Sequence, residues 1–355
     1  MTNPVQDNKA LKIFQPWKIG LAVFIGLGVS IWQFYKGLNG RHISTILDEL
    51  ANPNWIWLFM ALIVLVVRDF GYIARIKHLT SSELNWKSSF YVIVLWEFAS
   101  AITPSVVGGT AVAIFLLNRE GIKMGKSIAY VTLTAILDNL FFILVAPLGM
   151  LLATDSAFFS ETRVLAGFNF NLATIFYISY TLIATYTLFM AFGVLINPYV
   201  FQKIVLWVAR VLRLSDNLQK KAKQLTIDNI VASRELKGLG VWYWIKAIGS
   251  TLFVWMARYF MLNCLLAAYF PMSVGEHEVA IGKQLVLWVT QLISPTPGAS
   301  GFAESFMKEL FGDSILIVAI IVLWRLLTYY TYLGLGSIFL PRWIKRTTLE
   351  KRKSN

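Results

Sequence analysis

Eight ionisable residues stand inside apolar runs where charge is costly: Arg68, Asp69, Glu97, Asp138, Lys246, Arg258, Glu304 and Arg325. Each would cost about 2.5–3.5 kcal/mol at a bilayer centre on insertion scales, so such residues are kept where they pair or act on something. Four are acids and four are bases, a balance that predicts mutual pairing. Arg68, Asp69 and Lys246 fall near the ends of their runs, where side chains reach the interface and anchor a helix. Arg258, Arg325, Glu97 and Glu304 lie deeper, as does Asp138, and point to contact with a substrate or coupling ion. The competing reading is a set of ion pairs that only hold helices together, which adds little net stability after desolvation.

Two clusters of Pro, Gly, Ser and Thr supply a second ingredient. Thr103-Pro104 and Gly108-Gly109 interrupt the apolar stretch 88–118, and Ser294-Pro295-Thr296-Pro297-Gly298 with Gly301 interrupts 283–312. Proline removes a backbone donor and glycine permits positive φ, so each centre breaks its helix. New helix N-termini expose N–H groups and a partial positive charge that favour anions. Thr103, Ser105, Thr110, Ser294, Thr296 and Ser300 add hydroxyl donors, while Gly108, Gly109, Gly298 and Gly301 admit close backbone approach. A phosphate head group beside Arg258 and Arg325 suits this arrangement, which is an anion cage more than a catalytic centre. Turning the chain would by itself also explain the Pro and Gly.

The elements that must position these residues are membrane spans. Of 355 residues, 57% are apolar and 14% charged, with a net charge of +13. Too few charges remain to solvate a globule of this size, so a soluble enzyme and a nucleic-acid-binding module are excluded in favour of an all-α polytopic membrane protein. Cys264 stands alone, and His42, His78 and His277 lie far apart, so neither a disulfide framework nor a metal centre is expected. Six stretches reach the ~20 residues of a full crossing: 18–36, 55–74, 127–153, 170–195, 241–270 and 314–340. The arms flanking each break are too short to cross, so both broken segments are expected as re-entrant hairpins. With the N-terminus inside, cytoplasmic segments then hold 23 Lys and Arg against 7 acids, and outer segments 5 against 8, as the positive-inside bias requires.

This topology predicts an inverted repeat, span–hairpin–span, over 54–153 and again over 241–340, within one transmembrane domain (1–340) followed by a basic tail (341–355). Inverted repeats with broken helices at membrane depth mark secondary transporters, whose site lies where the halves meet. Between the halves, 196–240 combines Phe201, Ile204, Val205, Val208, Val211, Leu212 and Leu218 with interspersed Lys and Arg. It reads as an amphipathic helix in the cytoplasmic interface, or as an ordinary connector made basic by topology alone.

The pattern Thr103-Pro104…Gly108-Gly109, Pro295-Thr296-Pro297-Gly298…Gly301…Glu304 and Arg325-Leu326-Leu327-Thr328-Tyr329-Tyr330 resembles the lysylphosphatidylglycerol synthase transmembrane-region family. This is the flippase domain of multiple-peptide-resistance-factor proteins and their stand-alone relatives. The likeness extends over about 20–340. It implies a lipid translocator of the bacterial or archaeal cytoplasmic membrane, and the charge sorting above places both termini inside. Pro295, Pro297, Gly298, Gly301, Glu304 and Arg325 would belong to its functional core, with Tyr329 in the last motif. Two departures matter. No aminoacyl-transferase domain follows residue 355, so lipid lysylation by this chain is not expected. Family members often place Arg directly after the acid of the span following the first hairpin, whereas Asp138 is followed by Asn139, which leaves its partner open.

The leading expectation is therefore a flippase moving an anionic or aminoacylated phospholipid, or a polyprenyl-phosphate-linked lipid, between leaflets. An ion-coupled transporter of a small anionic solute is the alternative. A covalent enzyme would need a nucleophile–base pair or a metal site, and with neither visible, no enzymatic activity and no cofactor are expected. Membrane lipids with anionic head groups are the expected partners, nucleic acid is not, and a homo-oligomer is left open.

Overall fold

The computed structural model describes residues 51–103, 106–152, 162–165, 168–291, 299, 301–312 and 314–354, with helical positions Trp17, Gly20, Leu21, Phe24, Gly28, Ile31 and Tyr35 before them. Most of the first expected span (18–36) thus lies outside the described residues. So do Pro104, Ser105, Ser294, Pro295, Thr296, Pro297, Gly298 and Ser300.

Side-chain caps set where several helices begin. Asn54 accepts from the Ile56 N–H to open α1 (Trp55–Leu79), and Asn85 accepts from Ser88 to open α2 (Trp86–Ile102). Then come α3 (Val106–Arg119) and α4 (Met124–Leu152), followed by a short antiparallel hairpin of β1 (Thr162–Leu165) and β2 (Phe168–Asn171). α5 (Leu172–Ala191) ends in a π turn at Phe192–Ile196. Asn197 next caps α6 (Pro198–Val211), with Pro198 in the first turn, where no amide donor is needed. The chain continues through α7 (Asp216–Leu236), α8 (Val241–Ala267), α9 (Val274–Gln291) and α10 (Phe302–Phe311). α11 (Ile315–Arg325), capped by Ser314, leads through a second π turn (Leu326–Tyr330) into α12 (Thr331–Ser354).

Among the described residues, five helical stretches are long and apolar enough to cross a bilayer: Trp55–Leu79, Met124–Leu152, Ala173–Ile196, Val241–Ala267 and Ile315–Thr348. They match five of the six expected spans. Phe59, Val66 and Phe70 on α1 and Trp242, Ile248 and Phe253 on α8 stay exposed, an apolar surface suited to lipid rather than water.

The broken segments are helix pairs. α2 and α3 have 17 and 14 residues, roughly 25 and 21 Å at the helical rise, short of the ~30 Å hydrocarbon core. They pack side by side. Lys126 at the start of α4 pairs with Glu83 in the turn before α2 at 2.7 Å, so the two ends of the pair meet. Gly109 of α3 lies so close to Ser100 of α2 that a Cβ would overlap the serine side chain. α9 and α10 pack together in the same manner.

The connector differs from the single amphipathic helix expected over 196–240. It is two helices, broken beyond α6 where Arg213 takes a φ of 47°. Phe201 turns inward, fully buried against Phe189 and Gly193.

α1 runs along α8, with Gly71 held against Phe253 and Val254. α9 packs on α4, and α2 packs on α12. Two apolar cores result, one around Phe98, Leu116 and Trp343, the other around Phe142, Trp255 and Val286. Tyr72 of α1 packs against both, and the polar cluster described next lies at that seam.

Candidate functional site

α1 places Arg68, Tyr72 and Arg75 at i, i+4 and i+7, one stripe of a helix. Arg68 is 1% exposed; its guanidinium meets Asp69 at 2.7 Å and the Tyr332 hydroxyl of α12, which also donates to Asp69 at 2.5 Å. Arg68 was expected to anchor at a span end, but α1 continues to Leu79 and leaves it mid-helix, buried and paired. Lys246 does stand exposed near the start of α8.

Arg75, which the bounds drawn from hydropathy put in a cytoplasmic loop, is 2% exposed and is the partner of Asp138, at 2.7 Å. The same carboxylate oxygen accepts the Trp255 indole N–H at 2.9 Å. Glu304 and Arg325 form a second closed unit. Arg325 Nε donates to one carboxylate oxygen at 2.7 Å, and the Gly301 N–H donates to the other at 2.7 Å. Gly301 has a φ of 88°, a conformation that suits glycine and lets α10 begin with its own carboxylate cap. Arg325 also reaches the Ala299 carbonyl and lies over the Trp324 and Tyr329 rings. Tyr329 donates to the Ala101 carbonyl at 3.3 Å, tying the second π turn to the end of α2. Thr103 donates to the Ala99 carbonyl at 2.7 Å, so its hydroxyl hydrogen is committed to its own helix. Gly108 lies in α3, and Gly109 serves close packing against Ser100.

Arg258 and Glu97 remain. Among the described residues no carboxylate lies within ion-pair distance of Arg258. Its guanidinium donates to the Tyr72 hydroxyl at 3.2 Å and lies over Trp288 (4.7 Å) and Trp255 (5.4 Å). The aromatic faces hold the cation through their quadrupoles without neutralising it. Glu97 on α2 has no hydrogen bond or ion pair to a described residue, yet it acts electrostatically on Tyr72, Arg258 and Tyr332. Among the described residues, the buried Tyr259 hydroxyl, one Arg68 nitrogen and the Arg75 Nε also lack a hydrogen-bond partner. Among the described residues, the seam thus holds Arg258 and Glu97 without an ion pair, framed by aromatic rings from α1, α8 and α9.

Residues 17–336 match the profile of the family described as the lysylphosphatidylglycerol synthase TM region. The chain belongs to the lysylphosphatidylglycerol synthase transmembrane-region family. A UPF0104 membrane protein of Archaeoglobus fulgidus is 27% identical over 347 residues, covering 90% of this chain and 94% of that protein. As a member of this family, with five apolar helices of spanning length among its described residues, the chain is a polytopic membrane protein.

For this member of the transmembrane-region family, the motifs in the sequence marked the closed Glu304–Arg325 unit more strongly than the open one. Tyr72, Arg75, Trp255, Trp288 and Tyr332 escaped sequence reading. Helical spacing from Arg68 reaches Tyr72 and Arg75 once α1 is extended past residue 74. Trp255 stands one turn before Arg258. Nothing local marks Trp288, which comes from the next helix, or Tyr332, which lies 264 residues from Arg68.

Proposed function

We propose that the chain moves a lipid with an anionic or aminoacylated head group, or a polyprenyl-phosphate-linked lipid, between leaflets of the cytoplasmic membrane without making or breaking a covalent bond. One observation carries this reading: Arg258, within a spanning helix, is caged by Trp255, Trp288 and Tyr72 with no carboxylate at ion-pair distance among the described residues. A cation left unpaired at that depth is stabilised when a phosphate arrives, and this differential gain draws a head group off the interface. Glu97 takes the ammonium of an aminoacyl head group. Glu304–Arg325 and Asp138–Arg75 hold the walls.

The helix pairs α2–α3 and α9–α10 are re-entrant in this reading, each entering and leaving by one face. The Lys126–Glu83 pair and the short lengths of α2 and α3 support this. An inverted repeat is supported by reciprocal packing: α1 lies on its counterpart α8, and α9 on α4 matches α2 on α12. Both termini are then cytoplasmic.

The test is reconstitution of the full chain in liposomes carrying fluorescent phosphatidylglycerol, lysyl-phosphatidylglycerol or a polyprenyl phosphate in one leaflet. Accelerated exchange of at least one of them over protein-free liposomes is expected. No acceleration of any, or uptake of radiolabelled inorganic phosphate with no lipid movement, would contradict the reading.

A further inference from the structure

A second concentration of unspent chemistry lies away from the seam, where α5 passes into α6 and α7 into α8. A hollow of about 660 Å³, open to the surface, is lined there by the π turn at 192–196, the start of α6, the last turn of α7 and Trp244. Its lining includes Arg234 and Lys237 and no acid. Among the described residues, the exposed Arg234 guanidinium donates to the Tyr199 hydroxyl at 3.2 Å and Lys237 has no ion pair. Glu235 does not compensate them, because its carboxylate lies toward Gly125 on α4. Ser233 adds a hydroxyl to the lining, and Tyr199 and Trp244 add the aromatic groups favoured at head-group depth.

The surroundings select the ligand. Ile196 in the wall is 75% exposed, and Val241 and Trp242 at the start of α8 are each 74% exposed. Trp207, Val211 and Leu212 are also exposed, at the C-terminal end of α6. A second hollow, between α6 and α7, carries Arg210, Lys220 and Lys223 against one acid, Asp216. A basic hollow beside exposed apolar helix ends fits a molecule with a phosphate at one end and hydrocarbon at the other.

We propose that this cavity binds the phosphate head group of an anionic phospholipid of the cytoplasmic leaflet, its acyl chains lying on the exposed ends of α5 and α8. The site is separate from Arg258. It rests on the membrane orientation given above but not on lipid translocation.

The experiment titrates the detergent-solubilised full chain with dioleoyl-phosphatidylglycerol and dioleoyl-phosphatidylcholine, counting retained lipid by native mass spectrometry. Phosphatidylglycerol is expected to be retained in preference. The double variant Arg234→Gln/Lys237→Gln should bind it roughly 30-fold more weakly, the combined effect of two basic residues near an anionic surface. Should that variant fold poorly, Lys237→Gln alone, at an exposed position, should lose about 5-fold. Arg234→Lys/Lys237→Arg should keep the preference, and so should Lys87→Gln, an exposed basic residue outside the cavity. An unchanged preference in both glutamine variants would overturn the proposal. So would an equal loss in Lys87→Gln, which would make the retention a general effect of surface charge. Equal displacement of phosphatidylglycerol by inorganic phosphate at matched concentration would assign the cavity to a free anion and overturn the lipid.

Discussion

At the scale of residues, the charges inside the apolar helices divide by whether a counter-charge lies within ion-pair distance. Asp138 pairs with Arg75 and also accepts the Trp255 indole N–H, so Asp138→Asn strands a guanidinium that is 2% exposed. A loss of about 3 kcal/mol is expected, seen as a lower melting temperature in detergent. Arg75→Met with Asp138→Leu should recover most of it, because an apolar pair leaves no buried charge. An asparagine variant as stable as the parent would show that the pair contributes nothing. The sequence singled out Asp138 and Arg258 as charges at depth, yet left both surroundings dark. Arg75 lay one residue past a span boundary drawn from hydropathy, and the cage around Arg258 joins Trp255 of its own helix and Trp288 of the next to Tyr72, 186 residues away. Spacing reveals what shares a helix face; it does not reveal which faces meet.

At the scale of elements, close approach governs which helices can pack. Gly336 of α12 sits against Phe98 of α2, where a Cβ would overlap the ring and its own Cβ, whereas Gly334 two residues earlier has open space. Gly336→Ala is expected to cost about 1–3 kcal/mol through overpacking. Gly334→Ala should be neutral or slightly stabilising, since alanine favours the helix. Equal melting temperatures for the two variants would contradict the α2–α12 contact. Most spans were legible from apolar length. The connector was less so: its apolar positions keep helical spacing through the Arg213 break, and burial of Phe201 against Gly193 is a tertiary contact no periodicity encodes.

At the scale of the whole molecule, the account requires that each broken segment return to the face it left. Cys264 is a single buried thiol, so a Cys264→Ser background allows one cysteine at a time to be placed on the surface. Lys87→Cys and Lys123→Cys, at the two ends of the α2–α3 pair, are expected to react with an impermeant maleimide from the same side of the membrane. Reaction from opposite sides would make that segment a crossing and remove the inverted repeat.

The central claim, that an unneutralised Arg258 receives the lipid head group, is tested most directly by lipid exchange in proteoliposomes carrying Arg258→Gln beside the unaltered chain. The account predicts a fall in exchange rate of at least about tenfold, with partial retention in Arg258→Lys, which keeps the charge but not the planar stacking. Exchange at the unaltered rate in Arg258→Gln would contradict it.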